Sequence, residues 1–342
     1  MIYSIETAEG ERIVDNLQEH CKKCYSSCTG IGTLREKCPV DSMPKRTGIL
    51  KTFKGSGFLC CGETKTTKLF RDKLENIVYA IPEFKTLKTK ITNDISSIEE
   101  QRFKRVVHNL KSINAHSIQE LYSLVPQEIL TSNLDQQIEA IKKELFNNLE
   151  QSALTFLRMA KHNSHMKAEF SIYEKLFKDN PALNFRQHPI KKVILNVLHT
   201  FFIDFSDNNV LVSVADFNGK LMLDYESIHV ALYHLIENTS KYVKPKSRFQ
   251  IRFSEDEKTL KAIFDMESLH IDESELDKIY EEGYSGISVR KAEKQGQGIG
   301  MYRIKRLVDL NNAKIFVNAG KEIIVYQGND YSKNIFTIQF SK

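Results

Sequence analysis

HVALYHLIENTSKYV, residues 229 to 243, carries apolar side chains Val230, Leu232, Leu235 and Ile236 at helical spacing and a polar run of Glu237, Asn238, Lys241 and Tyr242 that stops against Pro245. The spacing predicts a helix with its polar chemistry at the C-terminal end. A carboxamide, an ammonium and an aromatic ring within two turns suit a nucleotide. The Asn oxygen can ligate Mg²⁺, the Lys can meet a phosphate and the ring can lie against a base.

Farther along, GQGIGMYRIKRLVDL, residues 296 to 310, sets three glycines in a G-x-G-x-G array directly before an amphipathic helix. Glycines let backbone N–H groups close on phosphates, and the helix N-terminus adds its positive end. The order is an Asn-bearing helix, a strand ending in Asp265, then the Gly-rich loop and helix. In that order, from about Arg186 to the C-terminus, the chain resembles the ATP-binding domain of sensor histidine kinases, within the gyrase, chaperone, kinase and MutL-type ATPase superfamily.

HLIENTSKY (234–242) resembles the N-box, which implies Mg²⁺ binding at Asn238, with Lys241 and Tyr242 beside it. KAIFDMESLHI (261–271) is similar to the first glycine box, implying that Asp265 bonds the adenine amino group. IYEEGYSG (279–286) matches the aromatic box before a lid running from Tyr284 to Gln295, and Tyr284 and Ser285 join the ATP site. In the second glycine box the resemblance assigns ATP contacts to Gly296, Gly298, Ile299, Gly300 and Met301. Two departures stand out. Glu267 and Leu269 occupy the places of the first box's two glycines, and His234 stands where the N-box opens with Asn.

Upstream, Ile91, Ile95, Ile98, Val106, Leu110, Ile113, Leu121 and Leu124 recur at threes and fours, the stripe of a packed helix that begins around Thr66 and is broken or kinked at Pro82. After a turn at Val125-Pro126 and 131–133, the stripe Leu134, Ile138, Ile141, Leu145 and Leu149 starts a second helix expected to reach about Phe177. Two antiparallel helices cannot bury both apolar faces alone, so a homodimeric four-helix bundle is expected. RVVHNLKSINAH (105–116) resembles the H-box, with His108 as phospho-acceptor; His116, His162 and His165 compete for the role. Asn109 replaces the acid that serves as general base in the family, and Ser112 occupies the place that positions water for dephosphorylation.

All six cysteines fall in the first 61 residues. Cys21, Cys24, Cys28 and Cys38 form C-x2-C-x3-C-x9-C-P, which suits Zn²⁺ or an iron–sulfur cluster, while redox-active thiols and plain buried cysteines remain open readings. RTGILKTFKGSGFLCCGE (46–63) predicts a hairpin completing this unit, placed where a sensor would sit. RQHPIKKVILNVLHTFF (186–202) fits the first strand and helix of the ATP-binding domain, DNNVLVSVADFNGKLMLD (207–224) a strand and a hairpin turning at Asn218-Gly219, and three runs after Lys314 the closing strands.

The expected class is therefore α+β. It comprises a Cys-rich unit at 1–65, a helical dimerisation and phosphotransfer region at 66–180, and an α/β sandwich ATP-binding domain at 181–342, in which a mixed sheet carries helices on one face. The net charge of +5 is dispersed, which argues against nucleic acid binding. No apolar run approaches the roughly 20 residues of a membrane span, and the N-terminus lacks a secretory pattern, so a cytoplasmic protein is expected. The resemblance implies autophosphorylation of His108 from Mg²⁺-ATP and transfer to an Asp of a separate response regulator. Three alternatives stay open: an ATP-driven switch without phosphohistidine, a protein-serine kinase of the same superfamily, and a scaffold that binds no nucleotide.

Overall fold

A computed structural model describes residues 1–26, 28, 30–35, 43–131, 133–178, 181–294 and 296–342, with 20, 23, 24, 130 and 131 described by backbone alone. They form two compact units, Met1–Gln101 and Arg102–Lys342.

In the first unit, β1 (Ile2–Thr7), β2 (Arg12–Asp15), β3 (Thr33–Arg35), β4 (Lys45–Thr52) and β5 (Gly55–Cys61) make an antiparallel sheet in the order β2-β1-β5-β4-β3, and α1 (Glu19–Ser26) connects β2 to β3. The expected hairpin is the β4–β5 pair. Gly55 at its turn has φ +143°, and a Cβ there would lie 2.2 Å from the Glu6 carbonyl oxygen, so only glycine fits. Phe70, Leu74 and Val78 of α2 (Thr67–Tyr79) bury against Ile5, Leu59 and Cys61. The compact unit thus extends past residue 65, because the apolar face of α2 is covered by this sheet. Ala80 separates α2 from α3 (Ile81–Leu124), and Pro82 sits in the first turn of α3, where its missing N–H breaks no helical bond. Cys21, Cys60 and Cys61 are buried and Cys28 is half-buried. The Cys24 side chain and Cys38 lie outside the described residues, and among the described residues no group of three or more His, Cys, Asp or Glu could hold a metal ion. The expected metal site is therefore unsupported.

The second unit begins within α3. A 3₁₀ turn at Gln127–Thr131 leads to α4 (Leu134–Asn147), capped by the Asn133 side chain, and α5 (Leu149–Leu176). The single helix expected from Leu134 to Phe177 is interrupted at Asn148, whose φ of −131° and ψ of 51° are not helical. There follow β6 (Phe185–Pro189), α6 (Ile190–Leu198), α7 (Phe202–Asp207), β7 (Leu211–Val214), β8 (Lys220–Asp224) and α8 (Tyr225–Tyr242). Beyond them come β9 (Arg248–Glu255), β10 (Thr259–Leu269), α9 (Ile287–Lys291), α10 (Gly300–Asp309), β11 (Ala313–Ala319), β12 (Ile324–Tyr326) and β13 (Asn329–Ser341).

The main sheet runs β11-β13-β10-β9-β7, with β12 on β13; β7 pairs with β9 in parallel and the other pairs are antiparallel. The expected hairpin at Asn218-Gly219 does not form, because β7 joins the main sheet while β8 pairs with β6 in a separate two-stranded sheet. Helices α6, α8 and α10 contribute Val193, Leu232, Ile236, Ile304 and Leu307 to one core with Ile251, Leu260, Phe264 and Ile338 of the sheet. Ala168 and Ile172 of α5 enter the same core. Two buried ion pairs fasten α5 to it, Lys175–Asp224 at 3.2 Å and Glu169–Arg303 at 2.7 Å.

His229 in α8 is buried, and burial, helped by Lys167, lowers its pKa from 6.5 to about 4. The unfolded chain binds this proton first, so the stabilisation is complete above the unfolded value and is lost as pH falls from 6.5 toward 4. Urea unfolding is expected to show about 2 kcal/mol less stability at pH 5 than at pH 7 from this group, an increment that His229→Gln should abolish.

Candidate functional site

The site is a cavity of about 540 Å³ within the second unit, walled by α3, α5, α8, β10 and the segment from Tyr284 into α10. The C-terminal half of α8 supplies Asn238, Lys241 and Tyr242. Among the described residues the Asn238 carboxamide makes no hydrogen bond, and it abuts Gly300, whose Cβ, if present, would lie 3.1 Å from Asn238 Nδ2. Gly300 is the first residue of α10, and Ile299 before it provides no side-chain cap. Among the described residues the first N–H groups of α10 therefore have no side-chain acceptor at the cavity wall, an arrangement that receives anions. Gly298 has φ +68°, and its Cβ would fall 2.5 Å from the Gly283 carbonyl carbon, while the Gly283 N–H donates to the Gly298 carbonyl at 3.0 Å. This loop closes on itself only with glycine at 298.

The segment after Gly283 is held by Glu275. Its Oε1 accepts from the Tyr284 hydroxyl and the Ile287 N–H, both at 2.7 Å, and Glu275 is itself buried. Tyr284 and Ser285 line the cavity, as do Gly296, Ile299 and Met301. Gln295 lies outside the described residues.

Asp265 requires a correction. Along β10 the buried face carries Leu260, Ala262, Phe264, Met266 and Ser268, so the two-residue period of a strand turns Asp265 to the other face. There it pairs with Arg252 at 2.8 Å and Lys333 at 3.5 Å, away from the cavity. Met266, Ser268 and His270 line the cavity instead. The signal was in the sequence, since the apolar alternation through Phe264 and Met266 puts position 265 out of phase with the core.

From α3 the cavity receives Asn109, Ser112, Ile113 and His116, one helical face. His108, one residue and thus about 100° away, is exposed and lies off this lining. His116 stacks on His162 with ring centroids 6.1 Å apart, and burial lowers the pKa of His162. His165 packs on Tyr233, and its pKa is likewise lowered by burial.

Two carboxylates that sequence reading missed or passed over complete the wall. Burial pushes the pKa of Glu237 up, but a hydrogen bond from His234 at 3.3 Å and the Lys241 ammonium at 2.9 Å hold it well below the usual range. Among the described residues Nε2 of the buried His234 has no hydrogen-bond partner. Glu169 is 1% exposed and meets Arg303, 4% exposed. Burial acts to raise its pKa, and the Arg303 guanidinium, His234 and the hydrogen bonds from Arg303 and Asn109 outweigh it and keep it lowered. No local pattern announces Glu169, because its partner is 134 residues away.

The chain is similar to the catalytic domain of histidine kinase ThkA in a nucleotide-free form, at 15% identity over 47% of this chain and 99% of that chain, with a TM-score of 0.39. It is similar to Acinetobacter baumannii histidine kinase AdeS at 16% identity over 68% of this chain and 97% of that one, with a TM-score of 0.38. Histidine kinase ThkA in complex with response regulator protein TrrA matches at 10% identity over 100% of this chain and 79% of that one, with a TM-score of 0.39. No family model and no curated protein matches the chain. With identities and scores this low, the chemistry rests on the residues of the cavity itself.

Gly298→Ala is expected to destabilise the chain by about 2 kcal/mol or more in chemical denaturation, from left-handed backbone strain plus a backbone clash. Gly296→Ala, where nothing lies within 4 Å of the added Cβ, should stay within about 0.5 kcal/mol of wild type.

Proposed function

We propose that the chain is an ATP-dependent protein histidine kinase that phosphorylates its own His108 and passes the phosphoryl group to an Asp of a separate response regulator. The observation that carries this reading is the juxtaposition, in one cavity, of the uncapped α10 N-terminus, the unpartnered Asn238 carboxamide and the face of α3 next to His108. The loop glycines and the α10 dipole receive the polyphosphate. Adenine lies toward Met266, Ile271 and Tyr242, with Ser268 and His270 as polar contacts in place of a carboxylate. Asn238, an oxygen donor beside that polyphosphate seat, fits Mg²⁺, which would neutralise phosphate charge as the nucleotide binds.

In the transfer, an imidazole nitrogen of His108 attacks the γ-phosphorus in line, the bond to ADP breaks, and the ring proton leaves to solvent. Asn109 orients the ring but takes no proton, since a carboxamide is not a base, and autophosphorylation is accordingly slow. His108 reaches the cavity only after α3 turns relative to it, because Asn109 occupies the inward position. Apolar side chains left exposed on the helical pair, among them Phe103, Leu121, Phe156, Leu157 and Phe170, support its burial in a homodimeric four-helix bundle. Among the described residues no helix is long and apolar enough to cross a membrane, and we place the protein in the cytoplasm.

A second reading is an ATP-driven switch without phosphohistidine, favoured by Asn109 and by the outward placement of His108. The two separate on incubation with Mg²⁺ and γ-labelled ATP. An acid-labile, alkali-stable label that His108→Gln and Asn238→Ala each reduce at least about tenfold is expected. ATP binding without any label would reject the kinase and leave the switch.

A further inference from the structure

Glu169 on α5 is a buried carboxylate with three donors around it. Arg303 Nη1 donates to its Oε1 at 2.7 Å and Nη2 to its Oε2 at 3.5 Å, and Asn109 Nδ2 donates to Oε2 at 3.2 Å. Gln297 Nε2 in turn donates to Asn109 Oδ1 at 3.3 Å. The chain of contacts starts one turn inside α10 and returns to the Gly-rich loop directly before it. It thereby ties α3 and α5 to the loop that encloses the anion-receiving helix end.

A parallel link runs one turn earlier on α3, where Arg105 Nη1 meets Glu282 Oε1 at 2.9 Å, next to Gly283 and its bond to Gly298. Charges buried as deeply as Glu169 and Arg303 are costly to desolvate, and such a pair is kept where it fixes one arrangement over others. The inner pair is strong and sealed from water. The outer links, Asn109–Gln297 and Arg105–Glu282, are solvent-facing and weak. That division suits a latch with a fixed root and a releasable tip. While the tip is engaged, Asn109 is the residue turned inward and His108 stays outside.

We propose that Glu169 is a positioning residue, the root of a latch that holds α3 with His108 turned away from the cavity, and that a nucleoside triphosphate seating in the Gly-rich loop releases the tip at Gln297. This rests on the cavity being the nucleotide site. Phosphate bound at the α10 N-terminus must draw in the backbone of 296–300, and Gln297 lies inside that segment, so its side chain cannot keep its bond to Asn109 unchanged.

Hydrogen-exchange mass spectrometry on the full chain, with and without a non-hydrolysable ATP analogue and Mg²⁺, tests it. Glu169→Gln would leave a guanidinium buried without its charge partner and risks unfolding, so the test uses the exposed positions Gln297→Ala and Arg105→Gln. Without nucleotide, exchange over 102–116 is expected to be several-fold faster in both variants than in wild type. In wild type the analogue should bring the same acceleration over 102–116 while slowing exchange over 296–303. Unchanged exchange over 102–116 in both variants would overturn the latch. Acceleration in the variants but none in analogue-bound wild type would overturn the nucleotide trigger. Absence of slowing at 296–303 would show that the loop is not a nucleotide site and would remove the reading beneath the proposal. A full exchange response with no phosphohistidine under γ-labelled ATP would support the latch while rejecting the histidine kinase.

Discussion

The buried pair of Glu169 and Arg303 is the contact on which the second unit depends. It joins α5 to the helix that follows the Gly-rich loop, and Lys175–Asp224 fastens the same helix to the end of β8. Removing either partner would strand a charge in the interior, a loss of about 3–5 kcal/mol, so the register between α5 and α10 is narrowly defined. The cavity exists because of that register. Its α3 and α5 walls would have no fixed place against Asn238 and Gly300 without it.

Polar groups in this cavity are divided by how they are satisfied. Glu169, Glu237 and Glu275 are each saturated by protein donors and act structurally, on Arg303, on His234 and Lys241, and on the segment after Gly283. Among the described residues, Asn238 and the first N–H groups of α10 lack side-chain partners at the cavity. Buried or half-buried polar groups without partners are expensive, and their concentration around one cavity marks where a ligand would complete them. The same division explains why Asp265 is no part of it, since that carboxylate is already paired on the outer face.

Much of the fold could be read from local spacing. The helix at 225–242, the Gly-rich loop with α10, the β4–β5 hairpin and the helical stripes of α3 and α4 depend on residues within a turn or two of each other, where period and glycine placement are decisive. The site was legible to the extent that its residues lie in those segments, as with Asn238, Lys241, Gly298 and Gly300. Asp265 was misread because a motif match overrode the strand period, and a shift of one residue in a strand exchanges its faces. The break at Asn148 was missed because the apolar stripe continues through it.

By itself the sequence determined the α+β class and the presence of an Asn-bearing helix followed by a Gly-rich helix start, because each is set by neighbours in the chain. Only the tertiary structure decided which face of α3 meets the cavity, that β8 pairs with β6 instead of β7, and that Glu169 finds Arg303. Those outcomes depend on contacts between residues far apart in sequence, chosen by how whole faces pack, and no short window of residues contains them.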